Sequence, residues 1–198
     1  INDLPGVGEN LQDHYQIRHV YKCTKKITLN DQIGSLFGKL GIFYDYLIHK
    51  KGPMTVGAGQ VAAITKSKVG LDKADVCMHF MPVSTDSPGK AVHKFSGFTN
   101  AVYQCRPESR GSIHIKSKDD NIDPEIKPNY LEADKDKEAI INGIKLAKKL
   151  INTNSMKDYV DDIYFPQKEL INEEEMLSFA KESGSTIFHP SCTCKMGN

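Results

Sequence analysis

The spacing of apolar residues in the first half of the chain predicts β-strands. The stretch QIRHVYKC places β-branched and aromatic residues at every second position, which predicts a strand over roughly residues 16–23. The stretch ADVCMHFMPV, residues 74–83, is apolar on both of its alternating sides and is therefore predicted to be a buried strand. Because strands need partners, these segments predict a sheet.

A pair of strands is predicted on either side of the turn at residues 107–111. FTNAVYQC before the turn and GSIHIKS after it both alternate in a two-residue pattern. In the second strand we expect Ile113 and Ile115 to face inward and His114 and Lys116 to face outward. This pairing predicts that the sheet is antiparallel.

Helical spacing is found in three segments. The apolar residues of the first are spaced three or four apart: Leu36, Leu40, Phe43 and Leu47. Basic residues, a glycine and a proline then end this helix at Lys50–Pro53. The second and strongest helix covers residues 134–152, with acids in its first turn, lysines in its last and one apolar stripe: Ile140, Ile144, Ala147 and Ile151. A third helix is predicted to follow Asn172 and to stop at Gly184.

The order of these elements predicts an α+β fold, with an antiparallel sheet and helices packed against it. Strands come first and helices later, without the strand–helix alternation of a parallel sheet. Residues 119–131 contain two prolines and are predicted to be an extended surface connection. No apolar run approaches the roughly 20 residues that a membrane helix needs, so no membrane span is predicted.

Composition and charge exclude several classes of function. Of the 198 residues, 39% are hydrophobic and 26% charged, as in ordinary globular proteins. With 26 basic and 25 acidic residues the net charge is +1, which gives no electrostatic footprint for nucleic acid or for an anionic membrane. Small neutral substrates or protein surfaces are therefore the expected partners, and the oligomeric state is open.

Two short motifs suggest sites that their spacing does not support. GVGENL resembles a dinucleotide fingerprint, but Leu11 stands where the third glycine is needed and no strand precedes the motif, which predicts a tight turn. His189, Cys192 and Cys194 could ligate a metal, but the other histidines form no second ligand pair, so no metal site is predicted. A disulfide between the two cysteines would close a strained small ring.

His189 is a candidate general base, because imidazole is the side chain whose ordinary pKa, near 6.5, allows it to accept a proton at neutral pH. The alternative is a structural role, in which the histidine fills space and forms hydrogen bonds without taking part in chemistry. Composition and spacing alone favour this structural role over catalysis, since one histidine does not define a site.

Three stretches together change this balance. DLPGVGENLQDH (residues 3–14), RPESRGSIHIKSKDDNIDPEIKPNYLEADKD (106–136) and TIFHPSCTCKMG (186–197) occur in the order and at the spacing of one family. The chain resembles the glucose-methanol-choline (GMC) family of flavin-dependent oxidoreductases, and it looks most similar to the branches of insect glucose dehydrogenase and choline dehydrogenase.

The resemblance implies an FAD-dependent oxidoreductase that acts on the CH–OH group of a small-molecule alcohol. Residues 1–15 would end the loop region on the FAD side, 16–184 would form the substrate-binding domain, and 185–198 would return into the active site. His189 would take the hydroxyl proton, while Asn10 and His14 would belong to the FAD-binding residues. We call residues 3–14 the opening segment and residues 185–198 the return segment.

The chain also departs from the family pattern HPxGTCxMG, since Cys192 stands where glycine is common. The resemblance further implies that the glycine-rich FAD-binding segment and a second active-site His or Asn lie outside the sequence. We therefore expect an internal fragment that is inactive alone, from a secreted or mitochondrial enzyme. Two alternatives remain: a non-catalytic α+β binding or structural module, and a Cys/His redox or metal module.

Overall fold

The structure, a computed structural model, describes residues 3–87 and 89–197. The first two positions of the chain and its last position, which belong to the predicted terminal regions, lie outside the described residues. The main sheet contains the strands β1 (Tyr15–Cys23), β2 (Val61–Thr65), β3 (Val76–Met81), β4 (Gly97–Gln104), β7 (Val160–Phe165) and β8 (Ser185–Thr186). It is antiparallel and has the order β2-β3-β4-β1-β7, with β8 pairing with the beginning of β1.

The four predicted strands are confirmed and one predicted pairing is wrong. β1 and β3 lie where the alternation placed them, but β4 pairs with β1 and β3 and not with the strand after the turn. That strand, β5 (Ser112–His114), instead pairs with β6 (Glu125–Lys127) in a separate two-stranded sheet. All eight residues of β4 are buried, so it needs partners on both edges, and nearer strands supply them. Ile115 is therefore 86% exposed and does not face inward.

The three predicted helices are confirmed, and a short one precedes them. The short helix is α1 (Leu29–Ile33). The predicted helices are α2 (Leu36–Tyr44), α3 (Asp134–Ile151) and α4 (Glu173–Ser183). One π-helical turn, Asp45–His49, continues α2, and a 3-10 turn follows at Pro53–Thr55. The predicted apolar stripe of α2 is exposed, with Leu36 70% accessible to solvent. None of the helices in the described ranges is long and apolar enough to cross a bilayer.

α3 packs against one face of the main sheet, which we call the α3 face. Its predicted stripe is fully or nearly fully buried, and Ile140 and Ile144 belong to the same buried cluster as Ile17 of β1. Ala147 packs against Val102 of β4. Helix and sheet approach closely here because position 143 is glycine. A Cβ at that position would lie 2.6 Å from Cγ1 of Val102.

The opposite face of the sheet carries polar and aromatic side chains. Since successive residues of a strand point to opposite faces, Tyr103 points away from α3, whereas its neighbour Val102 points toward it. Cys77 of β3 pairs directly with Tyr103 in the register, and His79 follows two residues later on the same face. This second face meets the opening and return segments, so we call it the site face.

Candidate active site

The opening and return segments lie side by side although they are at opposite ends of the chain. Gln12 and Ser191 exchange two backbone hydrogen bonds, of 3.0 and 2.8 Å. The Gly8 N–H donates to the Thr193 carbonyl oxygen at 2.8 Å. Pairing of β8 with β1 continues this antiparallel ribbon into the main sheet. The return segment is thus fixed along the edge of the site face.

Asp13 connects this ribbon to the backbone of His189. The Asp13 carboxylate is buried, with 9% of the residue exposed, and it accepts four hydrogen bonds. One comes from the His189 backbone N–H at 3.1 Å and one from the His14 N–H at 2.8 Å. The hydroxyls of Tyr130 and Thr186 donate the other two. A carboxylate with so many donors is a strong anchor, because each hydrogen bond to a charged group is stronger than a neutral one.

The residue before His189 adopts a backbone conformation that needs such an anchor. Phe188 has φ +63°, in the left-handed region that L side chains avoid. Its N–H donates to the Thr186 hydroxyl at 2.8 Å, and the next N–H, that of His189, donates to Asp13. Both peptide groups that flank the strained residue are therefore tied down. This arrangement determines the direction in which the His189 ring leaves the chain.

Four aromatic rings form a continuous row from His189 across the site face. The His189 and His14 rings meet edge to face at 5.8 Å, and His14 stacks on Tyr103 at 5.0 Å. Tyr103 in turn meets His79 at 5.4 Å, with its hydroxyl 3.4 Å from Nε2 of His79. Burial and the nearby Cys77 raise the pKa of Tyr103, which keeps its hydroxyl protonated.

One ring nitrogen of His14 has no hydrogen-bond partner in the part of the chain that the structure describes. Its Nε2 lies 3.2 Å from the Cys105 carbonyl oxygen, and since a carbonyl only accepts, this nitrogen carries the proton. Nδ1 is then the acceptor, and it is buried without a hydrogen-bond partner among the described residues.

Asn10 has a different environment from His14. It has φ +63° and its side-chain amide donates to the Cys192 carbonyl oxygen at 3.4 Å. Asn10 therefore contacts the return segment, while its own backbone turns sharply between the glycine-rich turn and the ribbon. The structure brings all three residues selected by the resemblance, Asn10, His14 and His189, to the same ribbon.

The exposed His189 lines an open groove of about 720 Å³, together with His14. The turn at residues 105–110 borders the groove, and the beginning of α3 holds that turn through Asp136. The buried Asp136 carboxylate accepts the backbone N–H groups of Glu108 and Ser109, at 2.9 and 2.8 Å. The His189 ring is thus reachable from a cavity large enough for a small molecule.

Among the described residues, the cysteines near His189 form neither a disulfide nor a metal site. All five cysteines are free thiols, and Cys192 and Cys194 are exposed. Within residues 3–87 and 89–197, no group of three or more His, Cys, Asp or Glu side chains is arranged to hold a metal ion.

Three residues of this arrangement carry no separate signal in the sequence. Asp13 lies inside the opening segment, but the sequence does not distinguish an aspartate that anchors the backbone from one that is exposed to solvent. Tyr103 and His79 lie on predicted strands, yet their meeting with His14 depends on the ribbon reaching the site face. Only the pairing of distant segments reveals them.

Comparison with known proteins agrees with this architecture. Residues 107–198 match the family model described as GMC oxidoreductase. An oxygen-dependent choline dehydrogenase of Photobacterium profundum is 34% identical over 197 residues, covering 100% of this chain and 34% of that protein. Its counterpart in Brucella anthropi is 33% identical over 197 residues and is covered to 36%. The chain spans about a third of the length of these curated relatives.

Solved structures of the same architecture are more distant in sequence. Pyridoxine 4-oxidase from Mesorbium loti superposes with a TM-score of 0.75 at 20% identity, over 100% of this chain and 35% of that one. A formate oxidase of Aspergillus oryzae, studied for modification of its FAD, gives a TM-score of 0.80 at 20% identity, over 95% and 37%. These superpositions confirm the α+β fold with its antiparallel sheet.

The solved structures that share this α+β fold include oxidases, one of them studied for modification of its FAD. The chain belongs to the GMC oxidoreductase family. The similarity to choline dehydrogenases agrees with one of the two predicted branches, whereas the insect glucose dehydrogenase branch stays a prediction.

Proposed function

We propose that this chain is part of an FAD-dependent oxidoreductase that acts on the CH–OH group of a small-molecule alcohol, with His189 as its general base. Family membership supports FAD-dependent alcohol oxidoreduction in general. The observation that carries the finer proposal is the position of His189, exposed to a groove while its backbone is held by the buried Asp13. A catalytic base needs both access to substrate and a fixed direction.

In this proposal His189 removes the proton of the substrate hydroxyl onto an imidazole nitrogen. Loss of that proton makes the neighbouring carbon a better hydride donor. FAD, when bound, supplies the hydride acceptor for this carbon. Asn10 and His14 would contribute to holding FAD, and their contacts with the return segment that carries His189 support this assignment. Tyr103, stacked on His14, keeps that ring in place.

The domain division follows the same proposal. Residues 1–15 would belong to the FAD side, 16–184 to the substrate-binding domain and 185–198 to the segment that returns to the active site. The ribbon between the opening and return segments supports a common role for both ends. Since the chain spans about a third of its curated relatives, we also propose that residues 1–198 alone neither hold FAD tightly nor turn over.

The test compares His189→Ala with wild type in the complete translation product that contains this chain, loaded with FAD. We expect the rate of flavin reduction by choline or another small alcohol to fall by about 10²–10⁴-fold, with little change in the apparent Kd of the alcohol. Added free imidazole should restore part of the rate. His49→Ala, which removes an exposed imidazole that pairs with Asp45, is the matched control and should change nothing.

An unchanged reduction rate in His189→Ala would remove His189 from the mechanism. If the wild-type protein holds no FAD, the non-catalytic binding module becomes the better hypothesis. Residues 1–198 expressed alone should show no flavin absorbance after dialysis, and tightly bound, reducible FAD there would contradict the proposed inactivity of this piece.

A further inference from the structure

The surface formed by α2 and the two turns that follow it is apolar and exposed. No residue of α2, of the π-helical turn or of the 3-10 turn is buried. Phe37 is 87% exposed and Ile48 is 62% exposed. Other large apolar side chains of these three elements are also exposed, among them Leu36, Leu40, Phe43, Tyr44, Leu47 and Met54. We call residues 36–56 the α2 surface.

The side chains of the α2 surface are continuous in space. Leu40 and Phe43 of α2 line one groove of about 630 Å³ together with Met54 and Val56, which follow the helix in the chain. Lys39 is the only charged residue of α2. A helix that is apolar nearly all round is normally covered, and a large exposed apolar patch marks a site of contact with a protein or a membrane.

The charges on the α2 surface favour a membrane over a protein. Residues 32–60 contain three lysines, no arginine and one acidic residue, Asp45, so the net charge of this stretch is +2. The Asp45 carboxylate pairs with His49 at 2.8 Å. Contacts between proteins are rich in arginine and poor in lysine, whereas lysines beside exposed apolar and aromatic side chains are typical of segments that lie in a membrane interface. The net charge of +1 for the whole chain conceals this local excess.

The positions of the lysines suit a surface that lies flat on a bilayer. Lys39 lies within α2, and Lys50 and Lys51 follow the π-helical turn. Nζ of Lys50 lies 6.0 Å from the centroid of the Tyr46 ring. A long lysine stem keeps the ammonium group at the level of the lipid headgroups while neighbouring apolar side chains insert more deeply, and tyrosine prefers the same level.

We propose that the α2 surface docks the protein on a phospholipid bilayer that contains anionic lipids. The apolar side chains of α2 insert into the interface, and Lys39, Lys50 and Lys51 contact the acidic headgroups. Apolar burial and electrostatic attraction both contribute to such binding. None of the residues that line the groove at His189 belongs to the α2 surface, so the proposal does not depend on the proposed function.

The test is co-sedimentation of the complete translation product, loaded with FAD, with lipid vesicles. Vesicles of phosphatidylcholine and phosphatidylserine, two to one, should bind the wild-type protein. Vesicles of phosphatidylcholine alone should bind it about 100-fold less, because the attraction of each of the three lysines is worth about fivefold. Lys50→Gln/Lys51→Gln should lower binding to the mixed vesicles by about 30-fold and leave binding to phosphatidylcholine unchanged.

Phe37→Ser should lower binding to both kinds of vesicle by about tenfold, because it removes one inserted ring. The matched controls change exposed residues outside the α2 surface: Ile115→Ser for the apolar change and Lys116→Gln/Lys118→Gln for the charge change. Both controls should bind like the wild type. Since Lys50 and Lys51 are exposed, their variant should fold and keep the test decisive if Phe37→Ser does not.

The proposal is overturned if the wild-type protein does not bind the mixed vesicles, or if the Lys50/Lys51 variant binds them equally well. A surface covered by another part of the same polypeptide would give no vesicle binding and a lower urea midpoint for Phe37→Ser. A surface covered by a second copy would give a dimer in sedimentation that Phe37→Ser dissociates. Flavin reduction is not part of the measurement, so a failure here leaves the proposed activity untouched.

Discussion

Asp13 is the single residue on which the direction of the His189 ring depends most directly. It holds the His189 N–H, while Thr186 holds the N–H of the strained Phe188. A backbone in the left-handed region costs about 1–2 kcal/mol for an L residue and persists only where neighbouring contacts enforce it. We infer that the carboxylate positions the proposed base without touching the substrate.

Asp13→Asn should reduce the rate of flavin reduction by about 10²-fold, because a small displacement of a catalytic group costs about that much. The amide carries no charge and offers only one accepting oxygen, so the hydrogen bonds from the His14 and His189 backbone N–H groups should weaken. Tyr130→Phe is the control, since it removes one donor from Asp13 but leaves the His189 N–H contact. Both variants should lose stability in urea denaturation, but only Asp13→Asn should lose rate at unchanged Kd. Equal losses of rate would contradict a positioning role.

Cys192 is a second residue whose backbone is strained. It has φ +73° at the position where the family resemblance places glycine. Cys192→Gly should therefore stabilise the protein by about 0.5–1 kcal/mol, because the relief of about 1–2 kcal/mol of strain exceeds the entropic cost of glycine in the unfolded chain. Thermal or urea denaturation measures the change. Cys192→Ala removes the same thiol and keeps the strain, so it should give no gain, and a glycine variant no more stable than the alanine variant would refute the explanation.

At the scale of elements, the contact between α3 and the sheet depends on the absence of one side chain. Gly143→Ala should destabilise the protein by about 1–3 kcal/mol through overpacking against Val102. Gly41→Ala in α2 is the matched control, because a Cβ at that position would meet nothing within 4 Å and the helix only gains propensity. It should stabilise by about 0.5–1 kcal/mol. Urea denaturation of both variants checks the pair, and a stabilising Gly143→Ala would show that the helix can shift.

The elements also differ in how well their sequence predicted them. α3 and α4 were predicted with their ends because caps, terminal charges and apolar spacing are all local signals. The partner of β4 was predicted wrongly, since pairing depends on which strands lie nearby in space and not on the nearest turn. Local pattern thus identifies elements more reliably than it identifies their neighbours.

At the scale of the whole molecule, the burial of His19 links folding to pH. Burial lowers its pKa from 6.5 to about 4, so between these pH values the unfolded chain binds a proton that the folded chain does not bind. The contribution of neutral His19 to the free energy of unfolding should be complete above about pH 6.5 and should decrease as the pH falls toward 4. The loss between pH 7 and pH 5 should be about 2 kcal/mol. Urea denaturation at these two pH values measures it. His19→Leu should remove this part of the pH dependence, and an unchanged slope would show that His19 is not its source.

The sequence by itself determined the class of fold, most of the elements and, through its motifs, the family with His189 and His14 as candidates. These properties are encoded locally, in periodicity, capping residues and short motifs. The tertiary structure alone decided that the His189 N–H meets Asp13, 176 positions away in the chain, that four rings form one row, and that His19 is buried in the sheet. Such contacts depend on which distant segments pack together, and no local pattern of residues carries that information.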